Sequence, residues 1–135
     1  MIHTTYLGLG SNLGEKEKNI RQALKKIEEK IGHVVRHSAY YYSEPWGFLS
    51  DNAFVNIVAC CETECTPREL LQKTQLIERE MGRRQKSENG QYHDRIIDID
   101  ILYFDELTID EPDLKIPHPL IHQREFVTIP LSEIL

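Results

Sequence analysis

The chain has 135 residues, 40% apolar and 28% charged, with a formal net charge of −6. That length suits one compact domain with a real core, 1–135, and no stretch approaches the ~20 apolar residues of a membrane helix. The acidic balance argues against general nucleic-acid binding, and the opening MIHTTYLGLGSN lacks the basic start and long apolar run of a signal peptide, so a cytoplasmic protein with no membrane or nucleic-acid partner is expected.

Ile2 to Leu9 is short, β-branched and aromatic, and reads as a strand. GSNLG, 10–14, reads as a tight turn served by Gly10 and Gly14. Glu15 to Ile31 carries Ile20, Ala23, Leu24, Ile27 and Ile31 at helical spacing, with Gly32 as the stop. Val34 to Tyr42 is a second strand, SEPWGFLSDN a loop, and Ala53 to Thr63 a third strand. Thr66-Pro67-Arg68-Glu69 has the form of a capping box with proline in the first helical position. It predicts a helix to about Met81 that buries Leu70, Leu71, Thr74, Ile77 and Met81. A polar loop, 83–94, leads to the strand in HDRIIDIDILYFDE, 93–106. Beyond it come a turn around Asp110 to Asp113, an IPHP segment, a helical turn and an apolar end.

The order β-α-β-β-α-β predicts an α+β, ferredoxin-like fold, an antiparallel sheet with helices packed on one face. That fold hosts unrelated activities and proves none. Cys60, Cys61 and Cys65 form no CxxC pair and no four-ligand zinc set. Cys60 and Cys61, adjacent on a strand, point to opposite faces and read as reduced core residues.

The fourth strand holds the sharpest question. Asp98 and Asp100 lie two apart on a strand and so share a face, with Ile97, Ile99, Ile101 and Tyr103 on the other. Close carboxylates repel, and need water or cations. Mg²⁺ suits them, since it takes oxygen ligands and commonly shares one or two carboxylates with substrate phosphates. The plain alternative is a solvated acidic face. Arg83, Arg84, Lys86, His93 and Arg95 crowd the preceding loop, and guanidinium forks beside metal-bound carboxylates are what a polyphosphate needs. A solvated charged connection is the alternative there.

Glycines at 8, 10 and 14 match neither GxGxxG nor a Walker A loop. Trp46, beside Pro45, Gly47 and Phe48, can cover a flat ring or pack onto its own core. Asn56, among apolar residues in FVNIV, needs a partner that a heterocycle or a neighbouring backbone group can supply. His118, between Pro117 and Pro119, contacts a phosphate or merely ends a strand.

In this order GSNLG, EPWG, FVN, QLIEREMGR, RIIDIDIL, IPHP and REF resemble the 6-hydroxymethyl-7,8-dihydropterin pyrophosphokinase family of folate biosynthesis, over nearly the whole chain. The resemblance implies transfer of the terminal pyrophosphate of ATP to a reduced pterin's hydroxymethyl group, with AMP released and two Mg²⁺ ions used. It implies metal binding by Asp98 and Asp100, and engagement of the phosphates by Arg83 and Arg95. It places Gln75, Glu78, Ile101, Lys115, His118 and Arg124 against ATP, with Arg84 or Lys86 standing in for a family arginine where this chain has Gln85. It places Ser43, Pro45, Trp46, Phe54, Asn56 and Phe126 around the pterin, with Tyr92 where tryptophan is common. A monomer acting on these small molecules is expected. The rival classes are a ferredoxin-like module binding RNA or a small ligand without catalysis, and a kinase moving a single phosphoryl group. No RNP1-like aromatic pattern supports the RNA reading.

Overall fold

The computed structural model describes residues 1–43, 54–82, 96–119 and 121–135. The elements are β1 (His3–Ser11), α1 (Lys16–Lys30), β2 (Gly32–His37), β3 (Tyr41–Ser43), β4 (Phe54–Thr63), α2 (Pro67–Glu80), β5 (Asp98–Phe104), β6 (Ile109–Glu111), β7 (Leu114–Ile116) and α3 (Glu125–Ile134), with a 3-10 turn at Ile121–Gln123 before α3. The main sheet runs β2-β4-β1-β5, with β3 also on β4, and all its pairings are antiparallel. This is the ferredoxin-like order expected from the sequence; β6 and β7 form a separate hairpin.

Amphipathic helices explain the first layer. Ile20, Ala23 and Ile27 of α1 and Leu70 and Ile77 of α2 are fully buried against Leu7, Leu9, Ile57, Cys61, Ile99 and Phe104. The capping box is present: Glu69 N–H donates to Thr66 Oγ1 at 3.2 Å and Thr66 N–H donates to Glu69 Oε1 at 2.9 Å. These bonds satisfy amides that the first helical turn leaves open.

The second face departs from expectation. The apolar end is a ten-residue helix, α3, despite Pro130 and the β-branched run Val127-Thr128-Ile129. Val127, Leu131 and Ile134 form one stripe that packs with Val58, Cys60, Leu102 and Ile121. Burial of that stripe overrides poor propensity. Cys60 and Cys61 do lie on opposite faces, and burial pushes the Cys61 thiol up to about 12.

The second strand is not continuous from Val34 to Tyr42. At Ser38 the Val58 N–H bonds to the serine Oγ at 3.0 Å, so a side chain replaces a ladder carbonyl and the strand breaks before β3. Tyr103 does not share the isoleucine face. The register of β1 on β5 passes from Leu7↔Ile101 to Tyr6↔Tyr103, leaving Leu102 as an extra residue. Such a bulge reverses the alternation, so Tyr103 joins Tyr6 and Leu102 on the α3 side and Phe104 returns to the α1/α2 core. Gly14 takes a turn conformation, with φ +66, but Gly10 lies inside β1.

The sheet's far end carries a testable charge. Asp105, at φ 49 just after β5, accepts from Thr4 N–H at 2.7 Å and holds the His3 ring at 2.6 Å. The backbone bond first, then the His3 bond, hold its carboxyl below its ordinary value. A carboxylate with a depressed folded pKa contributes stability above the unfolded carboxylate range and loses it as pH falls through the folded value. Asp105→Asn keeps a side chain that tolerates positive φ. The unfolding free energy of this variant is therefore expected to fall less steeply than wild type between about pH 5 and pH 3. Parallel slopes in denaturant titrations would remove the assignment.

Candidate functional site

Register alone puts the polar candidates on one face. In antiparallel pairs, residues directly opposite each other project the same way. Tyr41 faces Asn56, Asn56 faces Gly10, and Gly10 faces Asp98, so one row crosses four strands. The next row is Val58, Gly8 and Asp100, and Ser43 faces Phe54 on the other side. Strands lie about 4.8 Å apart, which sets Asn56 and Asp98 roughly 10 Å apart across a glycine. Val58 of the second row packs under α3, so the shared face is the α3 face.

At the amide end of this face, Asn56 is 7% exposed. Its Nδ2 and the Ser43 Oγ are buried and find no hydrogen-bond partner among the described residues. Buried donors in native proteins are paired, so two neighbouring ones without a partner suit the polar edge of a ligand. The Arg124 guanidinium lies over the Phe126 ring, 5.5 Å from its centroid, where α3 begins.

At the carboxylate end, Asp98 and Asp100 are half-buried. Among the described residues no group of three or more His, Cys, Asp and Glu is placed to hold an ion alone. A pair of carboxylates with room for water and phosphate oxygens is nevertheless the donor set that Mg²⁺ takes, so the residues fit that ion. His118 stands close enough to feel both ends. Burial pushes its pKa below the ordinary imidazole value, the positive Arg124 adds to that, and Asp98 opposes it. Its backbone N–H is fixed to Leu102 carbonyl at 3.0 Å, directly after the cis Ile116-Pro117 bond.

Beyond the edge of β5 lies a cleft of about 270 Å³. Leu71, Ile101 and Leu114 supply apolar walls, and Asp100, Lys115 and His118 supply polar ones. Arg68 on α2 fastens the β6–β7 hairpin by pairing with Asp113, at 2.7 Å, and with Glu111. Lys115 is tied to Asp110 at 2.5 Å. Leu71, Gln75 and Glu78 follow one another along a single face of α2. Gln75 is half-buried.

Glu78 is 8% exposed, and its Oε2 accepts from Ile99 N–H at 2.8 Å. Ile99 lies between the two aspartates on an edge strand, so this bond fixes the backbone that aims both carboxylates. Replacing Glu78 with alanine would leave a buried N–H without that acceptor. Glu78→Ala is expected to lower activity about 10- to 100-fold. It should also raise the Mg²⁺ concentration needed for half-maximal rate. A normal magnesium dependence would show that Ile99 N–H does not need Glu78.

The structure thus gathers Ser43, Phe54, Asn56, Asp98, Asp100, Ile101, Lys115, His118, Arg124 and Phe126 about one face and its edge, with Gln75 and Glu78 on the adjoining helix. Pro45, Trp46, Arg83, Arg84, Lys86, Tyr92 and Arg95 lie outside the described residues. Sequence reasoning missed Tyr41, Leu71 and Gly10. Gly8 and Gly10 stand two apart in the sequence, but only the register of β1 on β5 shows that they face the carboxylates.

The family model for 7,8-dihydro-6-hydroxymethylpterin-pyrophosphokinase (HPPK) matches residues 6–135. A 2-amino-4-hydroxy-6-hydroxymethyldihydropteridine pyrophosphokinase of Porphyromonas gingivalis is 45% identical over 130 residues, covering 96% of this chain and 88% of that relative. One of the same name from Aquifex aeolicus is 40% identical over 131 residues, covering 97% and 79%. A solved HPPK-DHPS, crystallised in complex with substrates, superposes with a TM-score of 0.77 at 15% identity, covering 98% of this chain and 40% of that one, which bears on the fold alone. With a family match over residues 6–135 and relatives this similar, the chain belongs to the 7,8-dihydro-6-hydroxymethylpterin-pyrophosphokinase family.

Proposed function

We propose that this chain transfers the pyrophosphoryl group of ATP to 6-hydroxymethyl-7,8-dihydropterin, in a Mg²⁺-dependent reaction on the α3 face of its sheet. The observation that carries this reading is the row Asn56–Gly10–Asp98, which sets a buried amide donor and a carboxylate on one face with no side chain between them. A flat heterocycle anchored at Asn56 and Ser43 extends its hydroxymethyl arm along that row toward the aspartates. The cleft beside β5 takes the nucleotide, with Leu71 and Ile101 against the base and His118 and Lys115 toward its polar parts, and Arg124 within electrostatic reach of His118. Phe54 and Phe126 flank the pterin, with Pro45, Trp46 and Tyr92 as further candidates from the sequence.

The chemistry asks for placement and charge neutralisation more than for covalent help. The pterin hydroxyl oxygen attacks the β-phosphorus of ATP, the bond between that phosphorus and the α,β-bridging oxygen breaks, AMP leaves with that oxygen, and the hydroxyl proton passes to solvent. Two Mg²⁺ ions, when bound by Asp98 and Asp100, supply neutralisation of phosphate charge and polarisation of the hydroxyl. Arg83 and Arg95 serve the developing charge, with Arg84 or Lys86 assisting in place of Gln85. The chain acts as a single cytoplasmic domain and a monomer.

Product analysis with ATP, Mg²⁺ and the reduced pterin tests the reading. AMP with pyrophosphorylated pterin is expected. ADP would identify a phosphoryl-transferring kinase, and an absence of nucleotide turnover would return the chain to the class of binding modules.

A further inference from the structure

The strand β1 threads between the amide and the carboxylates, and the shape of one residue there controls what Asn56 can do. A Cβ built on Gly10 would sit 2.5 Å from Asn56 Oδ1 and 3.5 Å from Asn56 Cγ. Real Cβ atoms do not approach an oxygen so closely, so the carboxamide lies in the space a side chain at position 10 would fill. Its other end, Nδ2, is buried without a partner among the described residues. The oxygen therefore rests against bare backbone while the NH₂ is left to be used. Nothing about the backbone conformation asks for glycine here, since Gly10 is an extended strand residue paired on both sides. The neighbouring Gly8 differs. A Cβ there would meet the Leu102 side chain at 3.6 Å, an ordinary contact, and Leu102 already covers it.

We infer that Gly10 is a positioning residue for substrate recognition, which by lacking a side chain holds the Asn56 carboxamide in the one orientation that offers its NH₂ to an acceptor on the edge of the heterocycle. The inference rests on the role given to Asn56 above. The ligand atom it implies is a ring nitrogen or carbonyl oxygen lying beside β4, at the end of the row away from Asp98.

A double-mutant cycle separates this from a general disturbance of the strand. Gly10→Ala is expected to raise the KM for the pterin about 10- to 100-fold, the loss of one buried hydrogen bond, with binding of a non-hydrolysable ATP analogue unchanged within about twofold. Asn56→Ala should do the same. In the Asn56→Ala background, Gly10→Ala should add nothing, because with the carboxamide gone the new methyl meets nothing nearer than Phe54 Cδ1 at 3.6 Å, an ordinary contact. Gly8→Ala is the control and should leave both constants alone. If Gly10→Ala by itself fails to fold, the double variant is expected to fold and to match Asn56→Ala. Additive effects of the two substitutions, a double variant that cannot fold, or a neutral Gly10→Ala beside a damaging Asn56→Ala would each overturn the inference while leaving Asn56 as the ring reader. A neutral Asn56→Ala would overturn the role of Asn56 itself, and the inference with it.

Discussion

Replacing Asp98 or Asp100 with alanine is expected to lower turnover at least about 10³-fold while leaving the protein folded. Both side chains are half-buried on the α3 face, opposite Gly10 and Gly8 across the β1 ladder. Neither belongs to the core between the sheet and α1 and α2, so truncation opens no cavity there. The two carboxylates, i and i+2 on one strand, repel each other, while Asp98 also acts on His118, so with no divalent ion present each variant is expected to melt close to wild type. The response to the metal should separate them. An ion bound by the native state alone raises the melting temperature by mass action. Wild type should therefore gain stability from Mg²⁺ with a non-hydrolysable triphosphate, and each variant should gain much less. Near-normal turnover in either variant, or an undiminished gain in melting temperature, would show that the pair does not bind the metal.

Activity lost while the fold persists is what a functional site looks like when it interrupts an otherwise regular fold. The regular part was legible because its signals repeat. Ile20, Ala23 and Ile27 recur at helical spacing, Thr66 and Glu69 form a local capping box, and Asp98 and Asp100 share a face by simple alternation. What escaped depends on contacts between distant segments. The α3 stripe of Val127, Leu131 and Ile134 reads poorly because Pro130 and β-branched neighbours mask it, and only the apolar back of the sheet makes it a helix. The extra residue at Leu102 could not be read from β5 alone, since a bulge exists only relative to its partner, and with it went the facing of Tyr103. Gly10 looked like part of a turn because glycine usually is, whereas its function is to make room for a side chain 46 positions away. Glu78 gave no hint in sequence that it holds the amide of Ile99.

Arg95→Ala is expected to cut kcat about 10³-fold while changing the dissociation constant of an ATP analogue by no more than a few-fold. Arg95 precedes Asp98 by three residues, so chain geometry keeps their Cα atoms within roughly 10 Å. An arginine side chain spans most of such a distance. Ground-state ATP already meets cations from Arg124, Lys115 and the metal pair in the proposed site, so one more contributes little to affinity. During transfer the equatorial oxygens of the moving group and the bridging oxygen of the departing AMP carry redistributed charge, and a guanidinium fork aimed there acts only at that moment. A substitution that removes such a contact lowers kcat and kcat/KM together. Arg95→Lys tests the geometry, since an ammonium keeps the charge but not the fork, and should recover only a small part of the rate. Full recovery by lysine would reduce the role of Arg95 to a point charge. A raised KM for ATP with kcat preserved would move it from the transition state to the ground state.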